Sequence, residues 1–593
     1  MRIHVGYDSL GRRIYLTFKH NPHLHIIGST RTGKSKLIEW IIRQLINSGI
    51  GFCLIDPHGQ LYEDIVKWCA YHNLLDKKIV LLNVSEGDYI KGFNPFRKLD
   101  GDLSVQIDSQ IMTIIKAWGA ENTDQTPSME GWLANDLQVV AESEQTILAT
   151  RYLIDFYGQE VREYLTSFLS SNTLASELAY NDWKGASTAK TPKQFYLDNY
   201  ILSTRNRLLR FLRSQQICRF MGLKDNNIDI EEIVEQGKIL LVNLQPSKNL
   251  SRQNSHLFGA LLVNEFFEYM SRRRKDFYGK PFNPFFLCID EFQNFVKTPD
   301  IADMLDQLGK YGLHLILAHQ RLGQIEQGQE DNLIDAIFTN IKNRAIFGGL
   351  TRQATKYVVE NCFYGESKLD LTQIKKAIYQ IKFWPVYGRD KAYSSSHGYS
   401  FGGSRSVVSA SGTATHKASS GEGWFDFLTE PTILSTTDSG SGASGEVDSE
   451  AEMASEGEID MPIFYPVPYY ELTSAETWSL EEHIWNMSEA LMAQLLRHCF
   501  MEIPGQKIQP MLVPFVKEFP IFEDTYKEYL MRLYEIEKER HSKIVDELIV
   551  QGLKELEQAA QVYAIQEASG DLVEPPTFRE PAKAATKKRS DAS

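Results

Sequence analysis

The stretch "HIIGSTRTGKSKL", residues 25–37, decides how this chain folds. A hydrophobic run breaks at Gly28, and Gly28-Ser29-Thr30-Arg31-Thr32-Gly33-Lys34-Ser35 then fits the pattern GxxxxGK[ST] at every position. The chemistry requires these residue types. Glycines let successive backbone N–H groups curl around phosphate oxygens, and the helix that follows points its positive end at them. Lys34 is placed to reach the β- and γ-phosphates, and the Ser35 hydroxyl to ligate Mg²⁺. Roughly 0.02 chance matches are expected in a chain of this length, so the motif predicts a nucleotide-binding loop between a strand and a helix.

Such a site needs a second half, an apolar strand ending in an acid. "PFFLCIDEFQNF" supplies it, with Asp290 closing the run and Glu291 after it. Asp290 is expected to hold the magnesium through its water shell, and Glu291 to orient and deprotonate an attacking water. Two further strand ends carry polar residues. "LIDPHG" places Asp56, Pro57 and His58 where ligands bind in open parallel sheets. His58 lacks a second His or Cys to share a metal. "LHLILAHQ" ends in Gln320, which either contacts a phosphate or its water, or is a surface glutamine.

Outward from these motifs, short apolar runs alternate with helix-period stretches through residue 390, the signature of a parallel sheet wrapped by helices. Strands are predicted at 24–28, 51–56, 78–84, 238–244, 285–290, 313–318 and 344–349, each hydrophobic enough to be buried on both faces. The ATPase core therefore comprises 1–101 and 236–392. Residues 102–235, too long for a crossover loop, form an inserted all-helical subdomain. Residues 393–460 turn Ser/Gly-rich with an acidic end, a composition that cannot offset its chain entropy and so predicts a disordered linker. The C-terminal region, 461–593, is expected to be mostly helical, at 474–500 and 523–567, with a frayed tail.

The 593 residues carry a formal charge of −14, unevenly spread. Residues 1–390 hold 46 Lys+Arg against 44 Asp+Glu, whereas 391–593 hold 17 against 33. The acidity belongs to the C-terminal third and does not exclude a nucleic-acid partner for the rest. Basic runs at 205–213 and 271–276 could neutralise phosphates or be solvated helix faces, and the sequence leaves both open. Six cysteines without a CxxC spacing read as free thiols in a reducing compartment. No apolar run approaches the ~18 residues needed to cross a bilayer, and there is no signal-peptide pattern. A cytoplasmic location follows, with a partner needed for any recruitment to the inner membrane.

Taken in order, "HIIGSTRTGKSKLIEWII", "GFCLIDPHGQLYEDIV", "KIVLLNVSEGDYIKGFNPF", "EIVEQGKILLVNL", "LCIDEFQNF" and "LGKYGLHLILAHQRLGQI" resemble the HerA/FtsK group of P-loop motors. Within that group they are most similar to the TraD/TraG-type coupling ATPases of conjugation and type IV secretion. The match covers residues 20–362, with a weaker one at 496–516. The resemblance implies an α/β RecA-like P-loop NTPase core with a mainly parallel sheet. It further implies a hexameric ring that pumps double-stranded DNA using ATP and Mg²⁺ bound between neighbours. It assigns catalytic roles to Lys34, Glu291 and Gln320 and metal roles to Ser35 and Asp290. The chain departs from the pattern where the family often has an arginine that enters the neighbour's site, since that position is Gly309. Lys310, Arg321 and Arg344 are the candidate replacements. Two other readings remain: a secretion ATPase acting on protein, and a nucleotide-gated assembly subunit of a defence complex with a stable effector partner.

Overall fold

The computed structural model describes residues 2–19, 21–99, 101–118, 127–169, 173–273, 279, 282–295, 305, 308–320, 331–363, 374–392, 459–477 and 479–569. In chain order the first strands are β1 (Arg2–Tyr7), β2 (Arg13–Thr17), β3 (Leu24–Ile27), β4 (Phe52–Asp56), β5 (Ile79–Asn83) and β6 (Tyr89–Ile90). Then come β7 (Ile239–Asn243), β8 (Phe285–Ile289), β9 (Leu313–His319), β10 (Asn343–Phe347), β11 (Ile374–Ala392) and β12 (Ile459–Thr477). The last are β13 (His498–Glu502), β14 (Gln509–Leu512) and β15 (Arg540–His541).

The seven runs expected to be doubly buried become seven neighbouring parallel strands, in the order β10-β3-β9-β8-β4-β7-β5. Strand β4 shows why continuous apolarity is needed. Phe52 and Leu54 enter the hydrophobic core on one face, and Cys53 and Ile55 the core on the other. Helices α1 (Lys34–Asn47) and α2 (Gln60–Tyr71) cover the first face, and the second is covered by helices from the insertion and beyond.

The insertion is helical as expected: α3 (Leu103–Ala117), α4 (Pro127–Glu142), α5 (Thr150–Leu153), α6 (Gln159–Thr166), α7 (Leu174–Ser187), α8 (Leu202–Leu212), α9 (Gln215–Met221) and α10 (Ile230–Glu235). Its side chains are not a separate core. Ile107 and Ile111 of α3 share one cluster with Leu240 of β7 and Phe266 of the following helix α11 (Arg252–Arg272).

The C-terminal region differs from the helical expectation. β13 pairs antiparallel with β10, β14 with β13, and β1 with β14, so the C-terminal hairpin joins the N-terminal hairpin β1–β2 to the parallel sheet. Helices Glu523–Ile536 and Ser542–Ser569 fall on the expected helical stretch, the second running two residues past its end. Of the 474–500 stretch only the part within Leu480–Met492 is helical. The chain then crosses to the insertion. Arg540 forms a bidentate pair with Asp225, Arg219 another with Asp546, and Tyr152 donates to Glu557 at 2.6 Å.

Residues 363–487 form a second compact unit. In it β11 and β12 pair antiparallel from Ile374 opposite Thr477 to Ala392 opposite Ile459. Residues 374–392, expected in the ATPase core, and 461–477, expected in the helical region, are thus the two arms of one hairpin. The segment between them, 393–458, where the linker was expected, lies outside the described residues.

Candidate nucleotide site

The loop after β3 is fixed on both sides by backbone. Gly28 N–H donates to His319 O at 3.3 Å, and Ser29 N–H donates to Gly348 O at 3.1 Å. A Cβ at Gly28 would fall 2.4 Å from Phe347 Cβ, which explains glycine there. Arg31 and Gly33 take positive φ (63° and 119°), curling the loop so that α1 begins at Lys34. The Lys34 ammonium is buried, donates to Ser29 O at 2.9 Å and lies 3.9 Å from Glu291 Oε1. Burial pushes its pKa down, and Glu291 and Asp290 push back.

β8 delivers the acids. The Ser35 hydroxyl donates to Asp290 Oδ2 at 3.1 Å, while Asp290 Oδ1 is buried without a partner. Burial first, then Asp56 and Glu291, push this carboxyl up to about 7. An orphaned buried oxygen beside a serine hydroxyl fits a hard divalent cation, whose ligands are oxygens. Glu291 sits at φ 53°, a left-handed backbone that a non-glycine residue holds only under constraint. Its carboxylate accepts from the Gln320 and Gln293 amides. Gln320 follows directly on β9, so the sheet brings it to the acids. Gln293, in the turn after Glu291, was not singled out from sequence.

Asp56 has a local task. It accepts from the backbone N–H of His58 (2.8 Å) and of Tyr62 (2.9 Å), shaping the turn into α2, and His58 is exposed. Among the described residues no cluster of three His, Cys, Asp or Glu side chains could by itself hold a metal. Behind the phosphate loop, His25 of β3 and His319 of β9 stack with Nε2 atoms 2.8 Å apart. One ring must donate and the other accept, so the pair links the loop strand to the Gln320 strand. Burial first, then His319 and Arg344, keep the His25 pKa well below the usual range.

The three arginine-replacement candidates separate. Arg344 is buried and spent inside its own chain: Nη1 donates to Glu502 at 2.6 Å, and Nη2 to Phe338 O. The two residues are register partners across β10 and β13, so this guanidinium is already engaged within its own chain. Lys310 is exposed, its ammonium 5.2 Å from the Tyr311 ring centroid. Arg321 lies outside the described residues. At Gly309 a Cβ would fall 2.7 Å from Pro22 Cγ, so no larger residue fits without displacement.

The basic runs divide likewise. Arg273 is buried against Glu235 and Arg272 pairs with Glu268, which makes both structural. Arg210 and Arg213 of the other run are exposed, whereas Arg205 and Arg207 stack on Tyr196 and Trp118. No helix among the described residues is long and apolar enough to cross a membrane.

A family model for type IV secretory system conjugative DNA transfer matches residues 4–364. A search of the curated proteins found no match. Among solved structures, the unbound bacterial conjugative coupling protein TrwBdeltaN70 is 17% identical over 59% of this chain and 74% of that one, with a TM-score of 0.39. The plasmid coupling protein TrwB in complex with ADP and Mg²⁺ is 16% identical over 57% and 74% (TM-score 0.37). VirB4 of Thermoanaerobacter pseudethanolicus is 15% identical over 61% and 88% (TM-score 0.39). Scores this low leave the fold to rest on the sheet topology itself.

Proposed function

Because the chain belongs to the type IV secretory system conjugative DNA transfer family, we propose that it is an ATP-hydrolysing motor that moves double-stranded DNA through a hexameric ring of identical subunits. The observation that carries this reading is the convergence of Lys34, the Ser35–Asp290 pair and the Glu291–Gln320 pair at one end of the parallel sheet. Lys34 leaves the Ser29 carbonyl to hold the terminal phosphates. Ser35 and Asp290 would hold Mg²⁺, which when bound would neutralise charge on the phosphates. Glu291 takes the proton of the attacking water, and Gln320 fixes the carboxylate in position to do so. Lys310 offers a positive charge to a neighbouring subunit, without the forked geometry of an arginine. The motor works in the cytoplasm, brought to the inner membrane by a partner protein.

The test is ATP turnover at low salt with and without duplex DNA, alongside mass measurement of the assembly. DNA should raise turnover, and Lys34→Ala or Glu291→Gln should abolish it. Turnover indifferent to DNA would sink the DNA reading and favour a protein substrate. Gly309 favours one further alternative, a nucleotide-gated assembly subunit. That reading requires tight ATP binding with slow single-turnover hydrolysis, and brisk steady-state turnover excludes it.

A further inference from the structure

Residue 497 lies 462 positions after Ser35, yet its backbone N–H donates to the carbonyl of Thr32 in the phosphate loop at 2.9 Å. Its Cα is 3.3 Å from where a Cβ on Gly33 would sit, so Arg497 lines the outer rim of that loop. Arg497 has φ 68°, another left-handed non-glycine position that needs an external hold. The hold is visible. Its Nε and Nη2 both donate to Val513 O, at 3.1 and 2.7 Å, and Val513 N–H donates back to Arg497 O at 2.9 Å.

The guanidinium clamped in this way lies 5.4 Å from the centroid of the Phe515 ring. Phe515 is 71% exposed, and Leu495 and Leu496 beside Arg497 are 59% and 65% exposed. A clamped guanidinium beside a solvent-facing aromatic ring, on a residue whose backbone contacts the phosphate loop, matches a flat aromatic ligand that has phosphates attached. We propose that Arg497 and Phe515 form the platform on which the base of the bound nucleotide stacks, an assignment that rests on the nucleotide reading of the loop.

The same surface sets the specificity. The amide of nearby Gln494 is turned inward, with its nitrogen oriented to donate to His498 O (2.9 Å) and Ile346 O (3.2 Å). Stacking without edge contacts does not distinguish adenine from guanine, because both present the same face. Stacking on the platform therefore favours neither purine, whereas a triphosphate without a base loses the platform.

The experiment is calorimetric binding of Mg·ATP, Mg·GTP and inorganic tripolyphosphate to the full chain and to Phe515→Ala and Phe515→Trp. Phe515 is exposed, so its loss leaves the core intact. Phe515→Ala should weaken ATP and GTP together by roughly 5- to 150-fold, the range that follows from removing one stacking aromatic. Tripolyphosphate affinity should stay unchanged, and Phe515→Trp should restore nucleotide binding. Unchanged ATP affinity in Phe515→Ala overturns the proposal, as does an equal loss for tripolyphosphate. A change in assembly mass at constant affinity also overturns it, by making Phe515 a contact between copies. A wild-type chain that binds neither ATP nor tripolyphosphate sinks the nucleotide reading itself.

Discussion

Replacing Gly309 by arginine asks whether this chain could carry an arginine at the position where the resemblance led one to be expected. A Cβ at 309 meets Pro22 Cγ at 2.7 Å and Pro22 Cβ at 3.2 Å, both shorter than ordinary van der Waals contact. The obstacle is a rigid ring, with His23 Nε2 at 3.6 Å behind it. Overpacking of this kind costs about 1–3 kcal/mol, because backbone or ring must shift to relieve it. Gly309→Arg and Gly309→Ala should therefore melt earlier than the wild type by similar amounts, since the clash lies at Cβ and not in the longer chain. In a Pro22→Ala background the penalty should fall by about half or more, a coupling typical of residues in contact. Thermal melting of the Gly309 variants in both backgrounds, each against its own parent and followed by tryptophan fluorescence, gives the comparison. If Gly309→Arg melts with the wild type, or costs the same with and without Pro22, the steric account of Gly309 is wrong.

Three other outcomes follow from the geometry. Arg344→Ala removes one half of a buried ion pair with Glu502, which should cost roughly 3–5 kcal/mol; a variant of native stability that had lost only turnover would restore Arg344 as a residue serving a neighbour. Gln320→Ala releases the Glu291 carboxylate and should lower turnover by about 10²-fold or more at unchanged ATP affinity, whereas weakened binding with normal turnover would contradict the positioning role. Burial pushes the His314 pKa down to about 4, so below about pH 6.5 the unfolded chain takes up a proton that the native site refuses. Stability from this site is complete above about 6.5 and is lost toward about 4, by up to roughly 1.4 kcal/mol per pH unit. His314→Phe, which preserves the ring contacts with Phe18 and Phe286, should have a shallower acid dependence in urea unfolding between pH 6.5 and 5. Parallel curves would refute the assignment.

What could be read from the sequence was whatever residue type alone determines. The seven parallel strands announce themselves because burial on both faces demands uninterrupted apolar runs. The phosphate loop does so because those positions require glycine, lysine and a hydroxyl side chain. The antiparallel strands hide for the converse reason. β2 alternates buried and exposed residues over five positions, β14 has four residues, and their neighbours are fixed by pairings such as Tyr7 with Leu512. Arg344 looked available because nothing local reveals Glu502 opposite it. Gly309 looked like a lost arginine because nothing local reveals Pro22. Arg497 is the extreme case. Its grip on Thr32 runs through a backbone N–H, which every residue except proline possesses, so no composition or spacing could mark it. The same stretch continues through β13 and β14 and on to the ion pairs with Asp225 and Arg219 of the insertion. One continuous piece of chain thus touches the phosphate loop at one end and the helical insertion at the other. The nucleotide site is therefore not confined to the family-matched 4–364 span, and a chain cut after it would lose a backbone support of its own phosphate loop.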